Sequence, residues 1–182
     1  MNTQVIIANI IGLIAFVIAT LAYHHKTKKM IFVTSTVADV LKLIHYIVLN
    51  AYSGMTTKVI AIIRNLAIIK QDKYKILKSK WILLIFVIAY IVLGVVTYNG
   101  IISICSVLAA FAYTTVSWNG NETRVRQVVI LSETLWFIYN IYVKSYALAL
   151  SNIVMIISAI IALYRNRNKI QEIIDLKEDK NG

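Results

Sequence analysis

The sequence predicts an all-α membrane protein whose seven transmembrane helices form two parallel three-helix bundles joined by a linker helix. Three observations carry that prediction. The 182-residue chain is 59% hydrophobic and contains no proline, and its mean hydropathy is +0.74, which is too apolar for a soluble domain of this size. Apolar runs close to the roughly 20 residues that cross a bilayer recur from end to end. An acid stands at matching places in two of those runs.

The runs are 5–22, 30–50, 55–69, 80–97, 100–117, 126–143 and 146–164. The first has no basic region before it and no small-residue cleavage site, so it reads as a retained helix rather than a signal peptide. The second, which contains "ADVLKLIHYIVLN", is aliphatic apart from Asp39, Lys42, His45 and Asn50. The third is the most interrupted, by Lys58, Arg64 and Asn65. The fourth, "WILLIFVIAYIVLGVVTY", is nearly pure aliphatic with Trp81 and Tyr98 as interfacial anchors, and is expected to face lipid. Beyond Tyr164 the chain turns polar, with Ile170, Ile173, Ile174 and Leu176 at helical spacing, as in an amphipathic tail on the membrane surface.

The repeat appears when the chain is slid against itself by 94 residues. Asp39 then matches Glu133, His45 matches Tyr139, Tyr52 matches Tyr146, and Leu41, Ile44 and Ile47 meet identical residues. Upstream, "LAY" (21–23) meets "FAY" (111–113) at a shift of 90. A three-helix unit repeated around one odd helix keeps both copies in the same orientation. The expected units are residues 1–70, a cytoplasmic loop and linker helix over 71–99, a second bundle over 100–164, and a tail over 165–182.

Charge sets the topology. The formal net charge is +11, and 15 of the 19 Lys and Arg fall in "HHKTKK", 70–80, "ETRVR" and the stretch after Tyr164. Only Lys58 and Lys144 lie in the alternate connections, while Lys42 and Arg64 lie within helices. That bias predicts a multi-pass inner-membrane protein with its N-terminus outside and its C-terminus cytoplasmic. Its charge is directed at anionic lipid headgroups and not at nucleic acid.

On a helix turning 100° per residue, Asp39, Lys42, Tyr46 and Asn50 share one arc, with His45 to one side. Glu133, Trp136, Asn140 and Lys144 repeat that arc in the sixth run. A charge at the bilayer centre costs roughly 3 kcal/mol even on insertion scales, so both stripes are expected to face an internal cavity. The candidate substrate-binding residues are therefore Asp39, Lys42, His45, Asn65, Glu133, Trp136, Asn140 and Asn152, with Ser132 and Ser151 at comparable depth. Aromatic faces beside amide and carboxylate edges suit a sugar, a vitamin or a nucleoside. In the competing reading, Asp39 and Lys42 neutralise each other and Arg64 serves Glu133 or Asp39, locking the helices of a non-transporting scaffold or accessory protein.

Other chemistry is not indicated. The adjacent histidines of "HHKTKK" lack a third ligand, and "SWNGNETRVR" reads as a turn. Cys105 is the single cysteine and lies within a helix, which precludes a disulfide or thiolate metal site within one chain. No phosphate loop or nucleophile constellation is found, so neither an enzyme nor a cofactor is expected. The expected partners are a small polar metabolite and membrane lipids, with a homo-oligomer possible.

"LAYHHKTKK", "HYIVLNAYSGM" followed by "IRN", and "SETLWFIYN" resemble the bacterial inner-membrane YgjV family over nearly the whole chain. The repeat layout more distantly resembles the SWEET sugar facilitators and the PnuC vitamin transporters. That resemblance implies a binding site between the bundles, with Asn65, Trp136 and Asn140 standing for the Asn and Trp residues such proteins use. SWEETs bend their helices at prolines, which this chain lacks.

Overall fold

A computed structural model describes residues 3–22, 28–71, 73–119 and 122–178. Among them, seven α-helices run in chain order: α1 (Thr3–Ala22), α2 (Lys28–Val48), α3 (Tyr52–Lys70), α4 (Lys80–Val96), α5 (Ile102–Asn119), α6 (Glu122–Tyr142) and α7 (Tyr146–Glu178). A short 3-10 turn, Lys75–Lys78, precedes α4. No strand occurs among the described residues. The predicted "HHKTKK" loop and the Asn119–Asn121 turn lie largely outside them.

Among the described residues, three helices are long and apolar enough to cross a membrane: Thr3–Ala22, Lys29–Val48 and Tyr146–Arg165. Two more, Lys80–Val96 and Ile102–Trp118, are apolar but shorter. The remaining two, α3 and α6, contain the charged and amide residues that turn inward, so composition alone understates them. The expected surface tail proves to continue α7, which is helical to Glu178. At 1.5 Å per residue its 33 residues span about 50 Å, more than the roughly 30 Å of hydrocarbon.

The helices trace one ring. Each of α1 to α3 packs on its chain neighbour, as does each of α5 to α7, while α3 meets α5 and α1 meets α7 to close the circle. Within neither trio do the backbones of the outer two helices approach each other among the described residues. In each expected three-helix unit the middle helix therefore stands between the other two. Outside the ring, α4 packs on α3, on α5 and on the 3-10 turn that precedes it. Its Trp81, Ile85, Val95 and Tyr98 are well exposed, as a lipid-facing helix requires, but Phe86 and Tyr90 are buried against the ring.

The 94-residue repeat reappears in backbone detail. Asn50 (φ 53°) and Lys144 (φ 60°) are 94 apart and are the two non-glycine residues in the left-handed region among those described. Each ends its helix in a Schellman motif. Asn50 N–H donates to Ile47 O and Ala51 N–H to Tyr46 O, while Lys144 N–H donates to Ile141 O and Ser145 N–H to Asn140 O.

Contacts between the halves follow the same shift. Ala147 N–H donates to Asn9 Oδ1 at 2.8 Å, and 94 positions away the Ser53 hydroxyl donates to Ser103 O at 2.9 Å. A Cβ built on Gly12 would lie 3.3 Å from Ala147 Cβ, and the corresponding pair, Ser106 and Ser53, is hydrogen-bonded at 2.5 Å. The first helices therefore align at 94, in place of the shift of 90 that "LAY" and "FAY" suggested.

Candidate functional site

The polar stripes of α2 and α6 face each other across the ring. Their backbones do not approach, so side chains alone bridge the gap. Between them lies a cavity of about 150 Å³ lined by Asp39, Lys42, Lys58, Arg64, Asn65, Tyr90, Tyr113, Ser132, Glu133, Trp136 and Ser151, among others. It extends towards the end of the ring at which α1 finishes and α2 begins, since Ala19, Ile31 and Phe32 also line it. A side pocket of about 30 Å³ continues from Lys42, Glu133 and Trp136 to Tyr46, Asn140 and Asn152.

Two hydrogen-bonded chains hold this interior, one based on each acid. In the first, Lys58 Nζ pairs with Asp39 Oδ1 at 3.5 Å, and Asn65 Nδ2 donates to Asp39 Oδ2 at 3.0 Å. Arg64 donates through Nη2 to Asn65 Oδ1 at 2.9 Å and through Nη1 to Thr114 Oγ1 at 2.8 Å. Thr114 in turn donates to Tyr90 OH at 3.4 Å, which ties α4 to the site. In the second chain, Tyr46 OH donates to Asn140 Oδ1 at 2.8 Å, Asn140 Nδ2 to Asn152 Oδ1 at 2.8 Å, and Asn152 Nδ2 to Glu133 Oε2 at 2.5 Å. Each acid is answered by the residue 19 positions later, Lys58 for Asp39 and Asn152 for Glu133. The repeat therefore preserves the position of the partner while changing its charge.

An aromatic layer closes the other end of the cavity. Tyr46 stacks on Trp136 with ring centroids 5.9 Å apart, and Tyr139 meets Tyr46 and Trp136 edge-on at 6.0 and 5.7 Å. Lys58 Nζ stands 4.3 Å from the centroid of the Trp136 ring, a cation–π contact. Gly54 N–H donates to Tyr139 OH at 2.8 Å, and a Cβ on Gly54 would come within 2.9 Å of Tyr46, so glycine is needed where α3 meets this layer. Past the layer is a second cavity of about 180 Å³ lined by Asn50, Ser53, Asn99, Ser103, Tyr139 and Tyr142.

Of the residues picked from sequence, Asp39, Lys42, Asn65, Glu133 and Trp136 line the central cavity, and Asn140 and Asn152 the side pocket. His45 lines neither. It is fully buried, with Nδ1–H donating to Ala8 O at 2.5 Å and Nε2 2.6 Å from the Ser145 hydroxyl. It ties α2 to α1 and α7, much as its repeat counterpart Tyr139 ties α6 to the start of α3. The ion pair also differs from expectation, because Asp39 takes Lys58 and not Lys42, and Arg64 reaches Thr114 and Asn65 rather than either acid. Lys58, Thr114 and Tyr90 were missed. Tyr90 carried a signal, as the one polar group amid the aliphatics of 82–96.

A ring of mostly apolar helices around a charged interior cavity defines a helical membrane protein of the multi-pass kind. The model of the Imp-YgjV family, described as bacterial inner membrane protein, matches residues 6–170, and the chain belongs to that family. No curated protein and no solved structure matches the chain, so the more distant likeness to SWEET and PnuC proteins gains no support.

Proposed function

We propose that this protein is a facilitator that lets a small polar metabolite cross the inner membrane by way of the central cavity. The observation that carries the reading is a cavity inside the helix ring bounded by both repeat-related acids, Asp39 and Glu133. Intramembrane ionisable groups that face such a space mark solute pathways more often than packing. The aromatic layer of Tyr46, Trp136 and Tyr139 between two cavities supports it, because a solute-passing protein needs a barrier that can move. The volume narrows the solute, since a cavity of about 150 Å³ holds a molecule the size of benzene. In this conformation a nucleoside or a disaccharide is too large, which leaves compounds of roughly six to eight non-hydrogen atoms.

The scaffold reading rests on a different observation, the Asp39–Lys58 pair and the hydrogen-bond chains that link α2 to α7. Uptake of small radiolabelled solutes into proteoliposomes separates the two. Transport predicts saturable uptake of at least one compound that Trp136→Ala abolishes in folded protein. A scaffold predicts none for any compound, and that result would overturn the proposal.

A further inference from the structure

We infer that the central cavity binds a small organic monoanion, one bearing a carboxylate or phosphate group, with Lys42 and Arg64 as its charge partners. This rests on the reading of the cavity as a solute site and adds the sign of the solute's charge. Five charged side chains line the space: Lys42, Lys58 and Arg64 against Asp39 and Glu133. The cations exceed the acids by one. Lys58 and Asp39 satisfy each other. Arg64 is buried, yet its partners are all neutral: it donates to the Thr114 hydroxyl and the Asn65 amide, and its guanidinium lies 5.2 Å from the centroid of the Tyr113 ring. Those hydrogen bonds use three of five guanidinium N–H groups and leave two for another acceptor. Lys42 has no carboxylate within ion-pair distance among the described residues.

An uncompensated cation away from bulk water is costly, and an anion held beside it recovers much of that cost. A single negative charge restores neutrality in this cavity. A sugar or other neutral solute leaves the excess in place, and a cation adds to it. Arg and Lys are also the side chains suited to oxyanions, Arg through its planar fork and Lys as a point charge. On the opposite wall, Glu133 takes one hydrogen bond at Oε2 from Asn152, which leaves Oε1 to accept from a solute hydroxyl. A hydroxy acid of about six non-hydrogen atoms fits both walls.

Thermal unfolding of the purified full-length protein tests this, at ionic strength held constant with sodium chloride. The probes are lactate, glycerate and inorganic phosphate, set against lactamide, glycerol and zwitterionic alanine. Lactate or glycerate is expected to raise the melting temperature with concentration, while lactamide and alanine do not. A response to phosphate alone assigns the group as phosphate rather than carboxylate. Lys42→Gln is expected to weaken the anion response on the order of tenfold, about one charge-assisted hydrogen bond, with Lys42→Arg restoring most of it. If Arg64→Gln does not fold, the two Lys42 variants still decide.

An equal response to lactamide or alanine overturns the inference, as does an anion response unchanged in Lys42→Gln, or no response to any anion. Stabilisation by neutral solutes alone removes the charge assignment but leaves the transport reading. Anion binding without uptake in proteoliposomes removes transport but leaves the anion site.

Discussion

Replacing His45 by Ala tests whether the imidazole is a structural tie or a part of the solute site. His45 is fully buried, and both ring nitrogens are engaged, by Ala8 O at 2.5 Å and the Ser145 hydroxyl at 2.6 Å. A carbonyl can only accept, so Nδ1 carries a proton and, in the neutral ring, Nε2 accepts from Ser145. Hydrogen bonds between membrane helices contribute about 0.6 and up to roughly 1.7 kcal/mol each, so the two together contribute about 1–3 kcal/mol. The void left by the ring adds roughly 1–2 kcal/mol. The sum is about 3 kcal/mol, which for a chain of this size lowers the melting temperature by roughly 10 °C.

Ser145→Ala removes one of the two bonds and is expected to cost about 1 kcal/mol. The double variant His45→Ala/Ser145→Ala should cost less than the sum of the singles, because the second change deletes a hydroxyl already without its partner. Melting followed by intrinsic fluorescence in detergent measures all three. Any solute-dependent rise in melting temperature should persist in His45→Ala, since His45 lines neither the cavity nor its side pocket. If His45→Ala melts within about 2 °C of the parent protein, or the two changes are additive, the tie contributes nothing and the reasoning fails.

Gly54→Ala would place a Cβ 2.9 Å from Tyr46 and 3.0 Å from Tyr139 OH, so it is expected to cost roughly 1–3 kcal/mol, read from the melting curve, and to disturb the aromatic layer. Asp39→Asn alone leaves Lys58 without its partner and should lower stability by about 3 kcal/mol, whereas Asp39→Asn with Lys58→Met should come back to within about 1 kcal/mol of the parent. A double variant less stable than Asp39→Asn alone would reject the pairing. For topology, cysteines introduced at Asn2 and Gly182 in a Cys105→Ser background should label from opposite faces of the membrane, and labelling of both from one face would contradict an odd number of crossings.

Much of the architecture was legible because lipid imposes simple rules. Apolar stretches of bilayer length with polar breaks gave helix limits that agree with the structure to within a few residues for α1 to α6, since the hydrocarbon leaves the backbone no other way to satisfy its hydrogen bonds. The inward stripes on α2 and α6 followed from helical periodicity, and Asp39, Lys42, Glu133 and Trp136 do line one cavity. The match of Asp39 with Glu133 anticipated a repeat whose backbone imprint is the pair of left-handed residues, Asn50 and Lys144.

Which side chains would meet was not legible, because a pairing depends on the distance between helices and not on position along one. Lys42 shares the arc of Asp39 on α2, yet Lys58 reaches the carboxylate from α3. His45 sits beside the polar stripe, but the approach of α1 and α7 turns it into a buried tie. Tyr90 looked like one more lipid-facing residue until α4 settled in the groove between α3 and α5. By itself, then, the sequence determined the number of helices, the limits of the first six and the existence of a polar interior, all consequences of local hydropathy and periodicity. Only the tertiary structure decided that the helices close into a single ring and that the cations in its cavity outnumber the acids, because ring closure and charge balance are sums over residues far apart in the chain.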